Sequence, residues 1–167
     1  MNSKQIVAVV SAIVLIVILV YPAVALGTVS VSLSSAKISK ADHIYITING
    51  VWAHPTSQAT GAGWVLVSNQ TASADLVSLQ NSSRFLGTGQ ISSGDYDGIR
   101  LEVSNVTWVF NKTTTILGIA SPDIDGTISF TVGAAKPTTI VITIYPQEEL
   151  IANSQYFVGT VNATLSS

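Results

Sequence analysis

His43 and His54 are the only imidazoles in a chain without cysteine, so any acid–base, nucleophilic or metal chemistry must be assembled from these rings, nine carboxylates and the hydroxyls. Neither a Gly-x-Ser-x-Gly elbow nor a His-Glu-x-x-His spacing occurs. His54 stands before Pro55 at the end of an apolar run and His43 follows Asp42 at the start of one. At such places a structural hydrogen bond is the expected role. Asp95-x-Asp97-Gly98 and Asp123-x-Asp125-Gly126 each resemble the front of a calcium loop, yet neither continues with further ligands and a distal glutamate. Aspartate beside glycine is also ordinary turn chemistry. Arg100 lies in an apolar stretch with Glu102 on the same face. An ion pair with Glu102, Asp95 or Asp97 is expected, ligand binding being the alternative, and leaving a buried partner carboxylate unpaired would cost about 3 kcal/mol. Trp52, Trp64 and Trp108 could form a sugar platform but are expected to fill a core. No catalytic residue, no metal and no cofactor is expected.

Glycosylation is the stronger chemical signal. Five of the eight asparagines, Asn69, Asn81, Asn105, Asn111 and Asn162, sit in Asn-x-Ser/Thr sequons. Serine and threonine fill 38 of 167 positions, so about two sequons would arise by chance from eight asparagines. The excess predicts N-glycans, with those on Asn105 and Asn111 close to turns at the two ends of Val106–Phe110.

Acceptor sites of this kind require an exported domain, and the N-terminus has the form of an export signal. Residues 6 to 20 are apolar but for Ser11, Lys4 precedes them, Pro22 follows, and Ala23-Val24-Ala25 is a small-x-small cleavage site. Residues 1–25 are therefore expected to be a signal peptide on a hydrophobic leader helix, with a retained membrane anchor as the alternative. Residues 26–167 are the extracytoplasmic domain, extracellular or at the cell surface. Charged residues make up 10% of the chain, hydrophobic ones 47%, and the net charge is −2. Those values exclude a disordered polyelectrolyte and give no basic stripe for nucleic acid.

Past residue 26, apolar residues alternate with serine and threonine, which is strand patterning. Val29, Val31 and Leu33 share one face, as do Ile44, Ile46 and Ile48; Asn49-Gly50 is compatible with a bulge or a hairpin. Further runs follow at 64–67, 76–79, 98–103, 106–110, 115–119, 127–132, 138–145 and 156–165, with one helical turn at 147–152. This predicts an all-β fold, an antiparallel β-sandwich of about eight or nine strands. Its expected core is Ile44, Ile46, Ile48, Trp64, Leu76, Leu79, Ile99, Leu101, Ile128, Phe130, Ile140, Ile142 and Ile144.

Gly94, Tyr96, Ile99, Arg100 and Leu101 form a G-x-Y-x-x-I-R-L string, preceded in order by Val51-x-x-His54, Gly63-Trp64-Val-Leu66, Asp75-Leu76-x-x-Leu79 and Leu86-Gly87-Thr-Gly89. The set resembles the signature of an archaeal and bacterial extracytoplasmic domain-of-unknown-function family of the DUF4382 type, which implies a secreted or anchored β-rich domain and no known reaction. The layout is also similar to that of archaeal surface-filament (thread) subunits, whose sandwich accepts a donor strand from a neighbour. On that likeness, residues 27–35 with Val29, Val31 and Leu33 are a candidate donor strand for self-association, the alternative being a strand paired within its own domain. The expected protein is a non-catalytic, glycosylated cell-surface structural or adhesive subunit, with a secreted or membrane-anchored ligand-binding module as the competing class.

Overall fold

The structure, a computed structural model, describes residues 25–59 and 61–166. The leader, its cleavage and the anchor alternative thus fall outside the described residues, Ala25 apart. Among the described residues no helix is long and apolar enough to cross a membrane. The described residues form eleven strands: β1 (Leu26–Ser35), β2 (His43–Pro55), β3 (Val65–Ser68), β4 (Ala72–Asp75), β5 (Arg84–Ser92), β6 (Gly94–Phe110), β7 (Thr113–Ile119), β8 (Asp123–Val132), β9 (Thr138–Pro146), β10 (Tyr156–Phe157) and β11 (Gly159–Ser166). One short helix, α1, spans Glu148–Ser154.

The strands form two sheets. One has the order β11-β9-β1-β5; the other has the order β10-β7-β6-β2-β3, with β4 also paired to β2 and β8 to β6. The alternating rows supply a single buried cluster drawn from both sheets. Edges of the two sheets also meet, β5 against β3 and β11 against β8. Gly87 and Gly89 permit the first approach, since a side chain at Gly89 would run into the Val67 carbonyl and one at Gly87 into the Ser68 hydroxyl.

Strand β1 lies inside its sheet. It pairs antiparallel with β5 from Leu26↔Ser92 to Leu33↔Arg84 and parallel with β9 from Val29↔Thr138 to Ser35↔Ile144. An entirely antiparallel arrangement is thus corrected: β1–β9 and the short β10–β7 pair are parallel. Period-two patterning is the same for either sense, and the long excursion through β2–β8 supplies the crossover a parallel pair needs. Val29, Val31 and Leu33 are fully buried, each stabilising the fold by about 1.5–3 kcal/mol.

Other differences have local causes. The run at 76–79 is a turn, and the strand before it is β4. The Asp75 carboxylate accepts the Ile44 amide at 3.3 Å and the Val77 amide at 3.1 Å, ending the ladder while Leu76 and Leu79 still enter the core. The segment 84–92, not anticipated as a strand, forms β5 as the partner of β1. The runs at 98–103 and 106–110 are one strand, β6, because Ser104 is accommodated as a bulge: Thr47 pairs with Asn105 but Ile48 with Val103. Asn49-Gly50 lies at a further irregularity of the same pairing and does not reverse the chain. Helix α1 is fastened to the β1–β2 connection by Glu148, which accepts the Ser39 amide at 2.6 Å, the Ser39 hydroxyl at 2.8 Å and the Lys40 amide at 3.1 Å. Burial alone would raise the Glu148 carboxyl, but these donors and the Lys40 charge hold it below its ordinary range.

Deleting residues 26–35 is expected to abolish the fold, because it removes three fully buried side chains and unpairs both β5 and β9. Far-ultraviolet circular dichroism and urea unfolding check this. A folded product that binds the 26–35 peptide in trans is the contrary result.

Candidate functional site

Three of the signature segments converge on one surface. His54 closes β2, Trp64 leads into β3, and Asp97, Gly98 and Arg100 lie on β6 beside Asp123 and Asp125 of β8. Asp97 sits where the pairing of β6 slips on both sides: His54 is opposite Gly98 and Pro55 opposite Tyr96, while Tyr96 faces Phe130 and Gly98 faces Thr127. Such a bulge re-aims a side chain, and here it turns the Asp97 carboxylate to the imidazole. Gly98 completes the arrangement, because a Cβ there would stand 3.1 Å from the His54 Cβ and 3.2 Å from Trp64 Cη2.

The His54 ring is buried, with both nitrogens at acceptors. Nδ1 is 2.6 Å from Asp97 Oδ1 and Nε2 is 3.2 Å from the Ala59 carbonyl oxygen. Only the imidazolium can donate at both positions. The Asp97 hydrogen bond is the largest influence and raises the pKa above its ordinary value, outweighing burial, which opposes it; the Ala59 carbonyl adds to the rise. His54 thereby ties Ala59 to β6. A catalytic triad would need a hydroxyl where the Ala59 carbonyl stands.

Arg100 is held by β8. Its Nε donates to Asp125 Oδ1 at 2.6 Å and Nη2 to Asp125 Oδ2 at 2.8 Å, while Nη1 lies 3.2 Å from Asp123 Oδ2. The expected partners Glu102, Asp95 and Asp97 are thus corrected: Asp125 is directly opposite Arg100 in the register, and strand order alone decides that. Asp95 instead accepts the Thr131 hydroxyl at 2.6 Å. Both Asp-x-Asp-Gly stretches therefore spend their carboxylates on protein groups, and among the described residues no three His, Asp or Glu are gathered to hold a metal. The guanidinium also lies over Trp64, 4.2 Å from the ring centroid, and His54 approaches the same indole at 5.1 Å. Trp64 is half-buried in this stack and not in the core, and Trp52 is half-buried as well; only Trp108 has the expected burial. A cavity of about 340 Å³ lies beside the cluster, lined by His54, Trp64, Asp97, Asp125 and Thr127 among others.

The remaining signature residues are structural. Tyr96 donates its hydroxyl to the Ser92 carbonyl at 2.8 Å and stacks on Phe130 at 5.1 Å, while burial raises its phenol pKa. Ile99 and Leu101 are fully buried. Gly94 has φ +151°, a backbone that L side chains rarely adopt. His43, at the other end of β2, is exposed, with Nδ1 2.7 Å from Asp75 Oδ2 and its ring stacked on Tyr45. All five sequon asparagines are exposed: Asn69 follows β3, Asn81 lies in the turn before β5, Asn111 lies in the β6–β7 turn, and Asn162 is in β11. Asn105 is within β6, beside the Ser104 bulge, and not in a turn.

Because His54 has a raised pKa in the folded chain, its contribution to stability is complete below its unfolded pKa of about 6.5 and is lost as pH rises through the folded value. Melting temperature is therefore expected to fall as the pH is raised from 6 through the folded value, and Asp97→Asn to flatten that slope; thermal melts of both proteins check this. Arg100→Ala is expected to cost about 1–2 kcal/mol in urea unfolding, from lost cation–π contact and weak ion pairs. The larger 3 kcal/mol expectation falls because the Asp125 and Asp123 side chains are 51% and 43% exposed. Arg100→Met, which keeps the stem against Trp64, is expected to cost less.

No curated protein and no solved structure matches the chain. A family profile described as a domain of unknown function (DUF4382) matches residues 26–159, a span holding every element of the cluster. With His54, Trp64, Arg100 and the Gly94–Leu101 string gathered by the fold inside that span, the chain belongs to the DUF4382 family.

Proposed function

We propose that residues 26–167 act as a non-catalytic, glycosylated β-sandwich domain at the cell surface, with a structural or adhesive role. The observation that carries this reading is the exposure of all five sequon asparagines on separate loops and strands of one domain. Acceptor sites must be reachable, as all five are, and five sequons exceed the about two expected by chance from eight asparagines. The non-catalytic part is supported by the pairing within the polar cluster. Both His54 nitrogens and the Arg100 fork are engaged by fixed acceptors, leaving neither as a free base or electrophile.

Assembly into a filament through residues 27–35 would require β1 to leave the interior of its sheet and to expose Val29, Val31 and Leu33. The self-paired form is the one this geometry favours, so a structural role is assigned to the surface of the folded domain. A second reading, a secreted or membrane-anchored ligand-binding module, draws on the 340 Å³ cavity and on the Trp64 indole Nε1, a buried donor with no hydrogen-bond partner among the described residues.

The test uses protein from its own cells. Peptide mass mapping is expected to find a new N-terminus near Leu26 and glycans on several of the five asparagines, and protease treatment of intact cells is expected to release domain peptides. An intact Met1, five unmodified asparagines and full protection from protease would overturn the proposal.

A further inference from the structure

Strand β6 turns into β7 through the two residues Asn111 and Lys112, since Phe110 pairs with Thr113. Both loop residues have positive φ, +48° and +64°. This is the primed hairpin turn, whose twist suits the flanking strands and whose first position favours asparagine. The last three of these four residues are a sequon: Thr113, the hydroxyl of the Asn111-Lys112-Thr113 motif, stands across the ladder from the phenylalanine before the asparagine. Opposed residues of an antiparallel pair project on one face. The next pair on that face, Trp108 and Thr115, joins Phe110, Asn111 and Thr113 in lining one groove of about 710 Å³. Phe110 is 47% exposed, so its ring presents apolar surface right beside an acceptor amide.

We infer that Asn111 carries an N-linked glycan whose first sugar lies on the Phe110 ring beside Thr113, and that this glycan stabilises the fold where the others do not. The inference rests on the reading of the chain as a glycoprotein and deepens it. Attachment forms a bond from Asn111 Nδ2 to the anomeric carbon and breaks that carbon's bond to the phosphate of a lipid-linked sugar donor; the phosphate departs with the electron pair and the amide proton is lost to base. Once attached, the sugar places ring C–H bonds, which carry partial positive charge, over the negative face of the aromatic ring. The covalent tether removes the translational cost of bringing them together. The other sequons lack this arrangement: Ser68, Gln80, Ser104 and Val161 precede Asn69, Asn81, Asn105 and Asn162.

The experiment uses the full chain produced in its own host and in a host without N-glycosylation, with Asn69, Asn81, Asn105 and Asn162 changed to Gln so that only Asn111 can be modified. Each protein is mapped for occupancy and melted, with and without Phe110→Ser. With Phe110 present, glycosylation is expected to raise the melting temperature by about 2–4 °C, and with serine by less than about 1 °C. Phe110 is half exposed, so Phe110→Ser leaves the core intact, and Phe110→Tyr, which keeps the ring, is expected to retain the full shift. An equal shift with phenylalanine and serine, or no shift with phenylalanine, overturns the inference. Native protein occupied at other sequons but not at Asn111 also overturns it while leaving the glycoprotein reading intact; five unmodified asparagines remove both.

Discussion

Strand β6 is bound to a neighbour on each side along most of its length, and the rest of the domain is organised by that constraint. Its 17 residues pair with β2 on one side and with β8 and then β7 on the other. A strand with both edges used has its backbone donors and acceptors satisfied in the ladder, and what remains to be settled is which side chains face the core. Strict alternation over so long a strand would carry some of its apolar residues to the wrong face. The buried side chains are those of Tyr96, then Ile99, Leu101 and Val103, then Val106 and Trp108, so parity changes twice. Each change falls at a slip of the pairing, at Asp97 and at Ser104. Two bulges therefore keep one strand facing one core.

The bulges also set where polar chemistry can occur. At Asp97 the extra residue supplies a carboxylate to His54, and the neighbouring Gly98 leaves room for Trp64. Arg100 then reaches β8 on one side and the Trp64 ring on another, so that β2, β3, β6 and β8 are linked by side chains as well as by the ladder. Such a cluster is sensitive to protonation, because the imidazolium is the one species that satisfies both a carboxylate and a carbonyl. The Gly94–Leu101 string and the segments ordered before it thus describe how a bulged strand is braced: glycines where backbones or rings approach, a tyrosine tied to its own turn, and His54 and Arg100 held by aspartates.

At its far end the same strand has the opposite character. Phe110 emerges from the core beside a turn with two positive φ angles and a sequon asparagine. The N-terminus of β1 pairs with Ser92 and its C-terminus leads to Lys40, which borders the groove at the β6–β7 turn, so the point where residues 1–25 enter and that turn lie at opposite ends of β1.

Much of this was legible in the chain by itself. Period-two rows of Val, Leu and Ile against Ser and Thr identify strands and their buried faces, since one face of each must leave water whatever the topology; of the thirteen expected core residues only Trp64 lies outside the buried set. The Gly94–Leu101 string and the sequons were equally visible, being local in sequence. What the tertiary structure decided was pairing. Whether β9 runs parallel to β1, whether β1 is flanked on both sides, whether Arg100 meets Asp125 or Glu102, and whether Asp97 faces Arg100 or His54 all depend on which strand lies next to which and in what register. Alternation carries no information on either, because the same row of side chains is buried equally well beside several neighbours; only simultaneous closure of backbone hydrogen bonds and the shared core selects one.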